Sequence, residues 1–231
     1  MGNIIAIFKK QWKDTFKNKT ILIQFIMFPV LTLAMDQAIT LDGMPENFFV
    51  ELFAAMYVGM APLTSIAAAI AEEKEKNTLR VLLMSNVKPY EYLLGTGSYI
   101  WFACMLGAAV ICAAGSYQIQ ERLAFLAVMA TGILTSLLIG AAIGTWSKTQ
   151  MMATSITVPV MIVFSFMPML SMFNATIAKV AKFLYSEQIS IMLNQVRHLR
   201  PKASNICIII ANILIFSILF AIAYKRCGLR E

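Results

Sequence analysis

The sequence carries little charge for its length. Its 231 residues are 59% hydrophobic and 13% charged, and their mean hydropathy is +0.74. A soluble domain has roughly 45–50% apolar and about 25% charged residues. So little charge cannot cover a folded surface in water, which excludes a soluble globular protein. The high apolar content excludes intrinsic disorder.

Residues that support catalysis or metal binding are also scarce. There is one histidine, His198, and the four cysteines have no CxxC spacing, so we interpret them as packing residues and predict no metal site. No nucleophile–base pair or carboxylate cluster is present. No GxxxxGK[ST] loop for ATP is present either. We therefore predict that the chain is not an enzyme and holds no cofactor of its own.

What the sequence does contain is long apolar runs without the alternation of barrel strands. Each is long enough for an α-helix to cross about 30 Å of hydrocarbon. The pattern predicts an all-α integral membrane protein with six transmembrane helices. The first run contains Pro29 and Asp36, and a signal peptide is the alternative there. The six runs are Thr20–Ala38, Phe48–Ala71, Tyr92–Gly115, Leu123–Trp146, Met151–Phe173 and Asn205–Tyr224.

Basic residues between these runs predict the orientation. With the N-terminus in the cytoplasm, thirteen of the nineteen Lys and Arg residues lie inside, and the other six are Arg122, Lys179, Lys182, Arg197, Arg200 and Lys202. The excess of basic residues on one side predicts that both termini are cytoplasmic, in a multi-pass protein of the plasma membrane. The net charge of +7 then suits anionic lipid headgroups, and we predict no nucleic-acid partner.

Residues 1–19 have the pattern of a basic amphipathic helix. Phe8, Trp12 and Phe16 recur at helical spacing, and Lys9 and Lys13 lie on the other face. Such a helix would lie along the inner membrane interface, with its rings in lipid and its ammonium groups among the headgroups. A lysine-rich leader without a fixed position is the alternative.

Residues 72–91 separate the second and third runs and combine charge with leucine. Glu72 can pair with Lys76 one helical turn away, and Pro89 suits the first turn of the next helix. Leu79, Leu82 and Leu83 would form a small apolar face on a short helix. These leucines need a partner, which is either the membrane interface or a groove of another protein.

The stretch Glu73–Gly95 reads E-x-E-x-x-T-L-R-x-L-L-x-S followed by P-x-E-Y-L-L-G. It resembles the intracellular loop of the permeases of type-2 ABC exporters, the ABC-2 membrane family. Six runs, a basic N-terminal helix and a half-apolar segment before the last run are also similar to this family. Two positions differ from its usual pattern: Asn77 stands where glycine is common, and Thr96 where lysine is common.

The resemblance implies a permease subunit that exports an amphipathic or hydrophobic substrate, such as a drug, a peptide or a lipid-linked molecule. A separate ATPase subunit, in two copies, would bind ATP and Mg²⁺, and a second permease copy, identical or related, would complete the pump. Membrane lipid would surround both. The coupling helix that contacts the ATPase would carry Glu73, Glu75, Thr78, Leu79, Arg80, Leu82 and Leu83.

The resemblance also implies a division of the chain. Residues 1–19 would form the amphipathic elbow helix, 20–224 the six-span domain and 225–231 a cytoplasmic tail. Within the domain, 72–91 would be the coupling loop and 174–203 an outer re-entrant segment. Gly140 and Gly144 form a GxxxG motif, which permits close helix contact either inside the chain or between copies.

Two other classes of function stay open. A six-span scaffold or assembly protein would use the same leucines without any coupling to ATP. A small ion-coupled carrier is disfavoured, because such carriers need ionisable groups within the bilayer. The runs Tyr92–Gly115, Leu123–Trp146 and Met151–Phe173 contain no such groups in their interiors.

Overall fold

A computed structural model describes residues 2–17, 19–38, 45–85, 87–196 and 202–227. His198 and residues 228–231 of the predicted tail lie outside these ranges. The described residues form helices joined by short turns, and they contain no β-strand. The helices are α1 (Gly2–Lys17), α2 (Lys19–Ala38), α3 (Phe48–Glu75), α4 (Thr78–Met84), α5 (Pro89–Ala114), α6 (Ile119–Trp146), α7 (Gln150–Phe173), α8 (Ala175–Ala181), α9 (Tyr185–Asn194) and α10 (Ala203–Cys227).

Five described helices are long and apolar enough to cross a membrane: α3, α5, α6, α7 and α10. They correspond to the second to sixth apolar runs. The first run lies in α2, where the apolar part Leu22–Ala38 is a shorter helix. The all-α architecture is therefore confirmed and five helices have the length and hydropathy of membrane spans, whereas a sixth span remains a prediction.

The central helix is α3, which packs against α2, α5, α6, α7 and α9. Between Ala54 and Ala71 only Met60 and Ala68 are not fully buried. This helix has small residues at many positions, so its neighbours can approach its backbone closely. The core of the molecule is consequently a bundle built around α3, and the outer helices α2, α5, α7 and α10 expose apolar side chains.

The Gly140–Gly144 motif lies on the face of α6 that packs against α3. A Cβ atom at position 140 would lie 2.4 Å from the carbonyl oxygen of Leu63, and one at position 144 would lie 2.9 Å from that of Ala67. No side chain fits at either distance. Glycine at these two positions allows α6 to contact the backbone of α3 directly.

Helix ends near the predicted coupling loop follow the local sequence. Helix α3 continues past the apolar run to Glu75, and the Lys76 backbone N–H donates to the Glu72 carbonyl at its end. Helix α5 begins at Pro89, as predicted, because proline lacks the N–H that would have no partner in a first turn. The Lys88 backbone N–H donates to the Glu91 carboxylate at 3.0 Å, which closes this turn.

Candidate functional site at the α3–α4 junction

The end of α3 carries a buried carboxylate that joins it to α1. Glu73 Oε1 accepts hydrogen bonds from Lys10 Nζ at 2.7 Å and from Gln11 Nε2 at 2.8 Å. The Tyr92 hydroxyl of α5 is also buried beside this group. A charged pair with low exposure is stronger than one in water, so Glu73 fixes α1 against the bundle.

Helix α1 also packs along α5 through its apolar side chains. Ile7 is buried, and a Cβ atom at Gly95 would lie 2.8 Å from its side chain. Phe8 is partly buried between Tyr99 and Phe102, with ring centroids at 5.4 and 6.0 Å. The helix is therefore held by the protein on this side.

The remaining residues predicted for the membrane interface are placed outward. Trp12 is 39% exposed and Phe16 is 62% exposed, and Lys9 and Lys13 are exposed as well. Gln11 and Thr15, which the hydrophobic pattern left unassigned, are buried. The buried face of α1 is thus partly polar, because Gln11 donates a hydrogen bond to Glu73 and Thr15 is hydrogen-bonded to Tyr99.

Helix α4 divides the predicted coupling residues between two faces. Leu79 is 2% exposed, and Leu82 is partly buried against the core. The Thr78 hydroxyl donates to the Glu73 carbonyl oxygen at 3.2 Å, and Arg80 is exposed. The Leu83 side chain lies outside the described part of the chain. Leu79 therefore packs inside this chain, where the sequence pattern had placed it at a surface for a partner.

Among the side chains of α4 that the structure describes, the exposed apolar ones are Val81 and Met84. Their exposed fractions are 65% and 74%. Sequence reasoning missed both, because Val81 falls between the leucines of the expected apolar face and Met84 follows the last of them. A seven-residue helix that buries one side in its own chain and presents Val81, Met84 and Arg80 on the other has a surface suited to a protein groove.

Asn77 sets the angle between α3 and α4. Its φ is 55°, in the left-handed region, where only glycine and, less readily, asparagine and aspartate are common. The position at which the family pattern favours glycine is thus one where the backbone requires a residue that tolerates this conformation. The chain can turn there and begin α4 at Thr78 directly.

Further contacts join the end of α3 to α6 and α7. Lys74 Nζ donates to the Thr145 carbonyl oxygen at 2.6 Å, and Glu75 Oε2 accepts from the Gln150 backbone N–H at 2.7 Å. The predicted Glu72–Lys76 pair is confirmed at 2.5 Å. Its hydrogen bond raises the pKa of Lys76. A displacement of α4 would consequently be transmitted to α1, α5, α6 and α7.

A second polar cluster lies at the opposite end of α7 and was not found from the sequence. The Ser171 hydroxyl lies 2.9 and 2.8 Å from the two carboxylate oxygens of Glu187. The Tyr185 and Ser136 hydroxyls are 2.7 Å apart, and Ser136 donates to the Val58 carbonyl oxygen. The cluster fixes α9 against α3, α6 and α7. Burial raises the pKa of Glu187, although the Ser171 hydrogen bond opposes this shift.

The segment predicted to be re-entrant contains the short helices α8 and α9. The Asn174 side chain caps α8 by accepting from the Thr176 and Ile177 backbone N–H groups.

Within the described residues, no group of three or more His, Cys, Asp or Glu side chains could hold a metal ion.

Comparison with known proteins covers nearly the whole chain. The sequence profile of a family described as ABC-2 family transporter protein matches residues 11–225. No curated protein matches the chain in sequence. The matched range includes residues 11–17 of α1, the α3–α4 junction, four of the candidate spanning helices completely and nearly all of the fifth, α10.

Proposed function

This chain belongs to the ABC-2 family of transporter proteins, and on that basis we propose that it is the permease subunit of an ATP-driven exporter. The family forms the membrane part of ABC transporters and is not itself catalytic, which implies an ATPase partner. Five apolar helices of spanning length agree with a multi-pass membrane protein. Export as the direction of transport belongs to the proposal.

We assign the contact with the ATPase to α4. The observation that carries this assignment is the exposure of Val81 and Met84 on a short helix at the end of α3. Leu79 and Leu82 hold the helix to its own chain, and Arg80 adds a charge beside the apolar pair. Glu73, Thr78 and Glu75 transmit a push on α4 to α1 and α7 through the hydrogen bonds described above.

The rest of the proposed arrangement follows from the family and the charge pattern. Helix α2 crosses the membrane as a sixth span, α1 lies at the inner interface, and both termini are cytoplasmic in the plasma membrane. Two ATPase subunits bind ATP and Mg²⁺ and drive a pair of permeases, either two copies of this chain or this chain with a related one. The substrate is amphipathic or hydrophobic.

Co-purification tests the role of α4. The tagged chain is extracted from its native membrane in mild detergent, and the ATPase that accompanies it is quantified by mass spectrometry. We expect a stoichiometric ATPase with the wild type. Val81→Asp combined with Met84→Asp should reduce its amount at least about tenfold, because an unpaired carboxylate would be buried in the contact.

The matched control is Val180→Asp on α8. Val180 is 62% exposed, close to Val81, but it follows α7 at the opposite end, about 36 Å away along that helix. The control should retain the ATPase. Equal retention by the α4 variant would refute the assignment of α4, and absence of any ATPase from the wild type in several mild detergents would favour the scaffold alternative.

A further inference from the structure

An apolar groove opens on the side of the bundle away from α7. It has a volume of about 570 Å³ and lies between α5, α6 and α10. Trp101 and Gly97 of α5 form one wall, Phe220 of α10 forms the other, and Ile66 of α3 lies in the floor. No segment among the described residues fills it.

The side chains that line the groove offer no free hydrogen-bond donor to a ligand. The Ser98 hydroxyl donates to the Gly95 carbonyl, and the Thr131 hydroxyl donates to the Val128 carbonyl. The Trp101 indole N–H points to the Ala130 carbonyl oxygen at 3.4 Å. Each polar group in the lining is therefore satisfied by a neighbouring backbone. A hydrocarbon chain fits such a surface, because it brings no polar group that would lose its hydration.

The length of the groove matches one leaflet. On α6 its lining extends from Ala130 to Ala141, which spans about 16 Å along the helix axis. This is about half of the 30 Å hydrocarbon thickness of a bilayer. One end lies near Leu93, close to the first turn of α5, so the groove runs from that membrane surface to about the middle of the bilayer.

Basic residues flank this end of the groove. Lys88 precedes the first turn of α5, and Lys225 and Arg226 lie in the last turn of α10; all three are exposed. Of the lining residues, Leu93 is five positions from Lys88 and Phe220 is five positions from Lys225. Five positions correspond to a rise of about 7.5 Å along a helix axis. Glu91, the acid on the first turn of α5, is engaged by Asn3 of α1 at 2.9 Å.

We propose that this groove is a binding site for an anionic phospholipid that stays with the protein. One acyl chain occupies the groove, and the phosphate lies within reach of Lys88, Lys225 and Arg226. The apolar lining accounts for the acyl chain of the ligand, and the basic end of the groove accounts for its negative charge. The inference requires a membrane-spanning chain, and it does not depend on the coupling role of α4.

Native mass spectrometry of the purified transporter, with whatever partners accompany it, tests the site. The probes are phosphatidylglycerol and phosphatidylcholine with the same acyl chains, each added at equal concentration in mild detergent. We expect one tightly held phosphatidylglycerol per chain. Gly97→Leu should weaken this binding about tenfold or more, because the new side chain enters the groove, where nothing lies within 4 Å of the glycine.

Two matched controls separate the site from general effects. Ala109→Leu places the same side chain at an exposed position of α5 outside the groove and should leave binding unchanged. Lys225→Gln with Arg226→Gln should remove the preference for phosphatidylglycerol over phosphatidylcholine, whereas Lys179→Gln with Lys182→Gln on the other side should keep it. The assignment would be overturned if both leucine variants lose lipid binding. It would also be overturned if both pairs of glutamine substitutions lose the preference for phosphatidylglycerol.

A second measurement covers the case in which Gly97→Leu does not fold. In a Trp12→Phe, Trp146→Phe background, Trp101 is the single remaining tryptophan. One equivalent of phosphatidylglycerol brominated in its acyl chains should quench Trp101 fluorescence, and brominated phosphatidylcholine should quench it much less. The proposal would be refuted by equal quenching with both lipids or by no quenching with either. It would also be refuted if a second copy of the chain, in a cross-linked dimer, blocks the groove.

Discussion

The Glu73 carboxylate is buried at the end of α3 and accepts hydrogen bonds from Lys10 and Gln11 of α1. Its own backbone carbonyl accepts from Thr78 on α4. A single residue thus touches the N-terminal helix through its side chain and the short helix through its main chain. Since a buried charge depends on its partners, the position of α1 depends on this carboxylate.

Replacing Glu73 by alanine is therefore expected to loosen α1. The change leaves Lys10 and Gln11 without their acceptor and should lower the free energy of unfolding by about 1–3 kcal/mol. Limited proteolysis near residue 18 measures the loosening of α1, and thermal melting in detergent measures the loss of stability. Glu72→Ala is the control, because its pair with Lys76 is exposed and contributes little in water. Equal melting temperatures for both variants would refute the role of Glu73.

Asn77 gives a second prediction at the residue scale. Its φ of 55° is costly for a residue with a branched side chain, by roughly 1–2 kcal/mol. Asn77→Val should lower the melting temperature and reduce the amount of ATPase that co-purifies, while Asn77→Gly should retain both. If valine is tolerated as well as glycine, the left-handed conformation does not control the start of α4.

Glu187 predicts a dependence of stability on pH. Its pKa is raised from 4.5, chiefly by burial, so the protonated form is favoured in the folded chain more than in the unfolded one. The stabilisation from protonation is complete below pH 4.5 and is lost as the pH rises through the raised pKa. Because glutamine stays neutral, the melting temperature of Glu187→Gln should depend less on pH across this range. A parallel pH profile for the wild type and the variant would contradict this account.

At the scale of elements, the long helices could be predicted and the faces of the short ones could not. Runs of about 20 apolar residues define spanning helices almost regardless of their neighbours, because the bilayer requires internally bonded backbone. Pro89 and the Glu91 carboxylate also fixed the start of α5 locally. Leu79, in contrast, lies on a seven-residue helix, and two turns are too few for the spacing of leucines to tell an inner face from an outer one.

The same limit explains the other residues that the sequence did not reveal. Gln11 and Thr15 are polar and looked solvated, but the acceptor that makes burial of Gln11 possible is 62 positions away at Glu73. Glu187 and Ser171 meet only because α9 folds back onto α7. Contacts of this kind depend on the packing of distant segments, which hydrophobic spacing does not encode.

The seam between α6 and α3 gives a prediction at the element scale. Gly140→Val would place its Cβ atom 2.4 Å from the Leu63 carbonyl oxygen, and backbone cannot give way as a flexible side chain can. We expect overpacking to cost about 1–3 kcal/mol or to prevent folding, as judged by melting temperature and yield. Gly97→Val is the control, because open space surrounds that glycine. A stable Gly140→Val protein would mean that α6 and α3 are not in direct contact.

At the scale of the whole molecule, the exposed helices differ in chemistry. Helix α10 turns outward a face of Ile210, Leu214 and Ile218, which suits lipid. Helix α7 exposes Thr154 and Ser155 beside Met151, next to an open recess that also includes Glu75. These two hydroxyls donate to the Gln150 and Met151 carbonyls of their own helix, but their oxygens can still accept a hydrogen bond from a neighbouring subunit or a transported molecule. If the proposed pair of permeases forms, we therefore expect the second copy on the α7 side.

Disulfide cross-linking tests that arrangement. In a background with Cys104, Cys112, Cys207 and Cys227 replaced by serine, Ser155→Cys should form a covalent pair of permeases in native membranes on mild oxidation. Ile218→Cys on α10, which is 59% exposed on the apolar face of that helix, should remain a single chain. Because the two variants share expression, oxidant and membrane, random collision would cross-link both. Cross-linking at position 218 but not at position 155 would move the second copy to the α10 side.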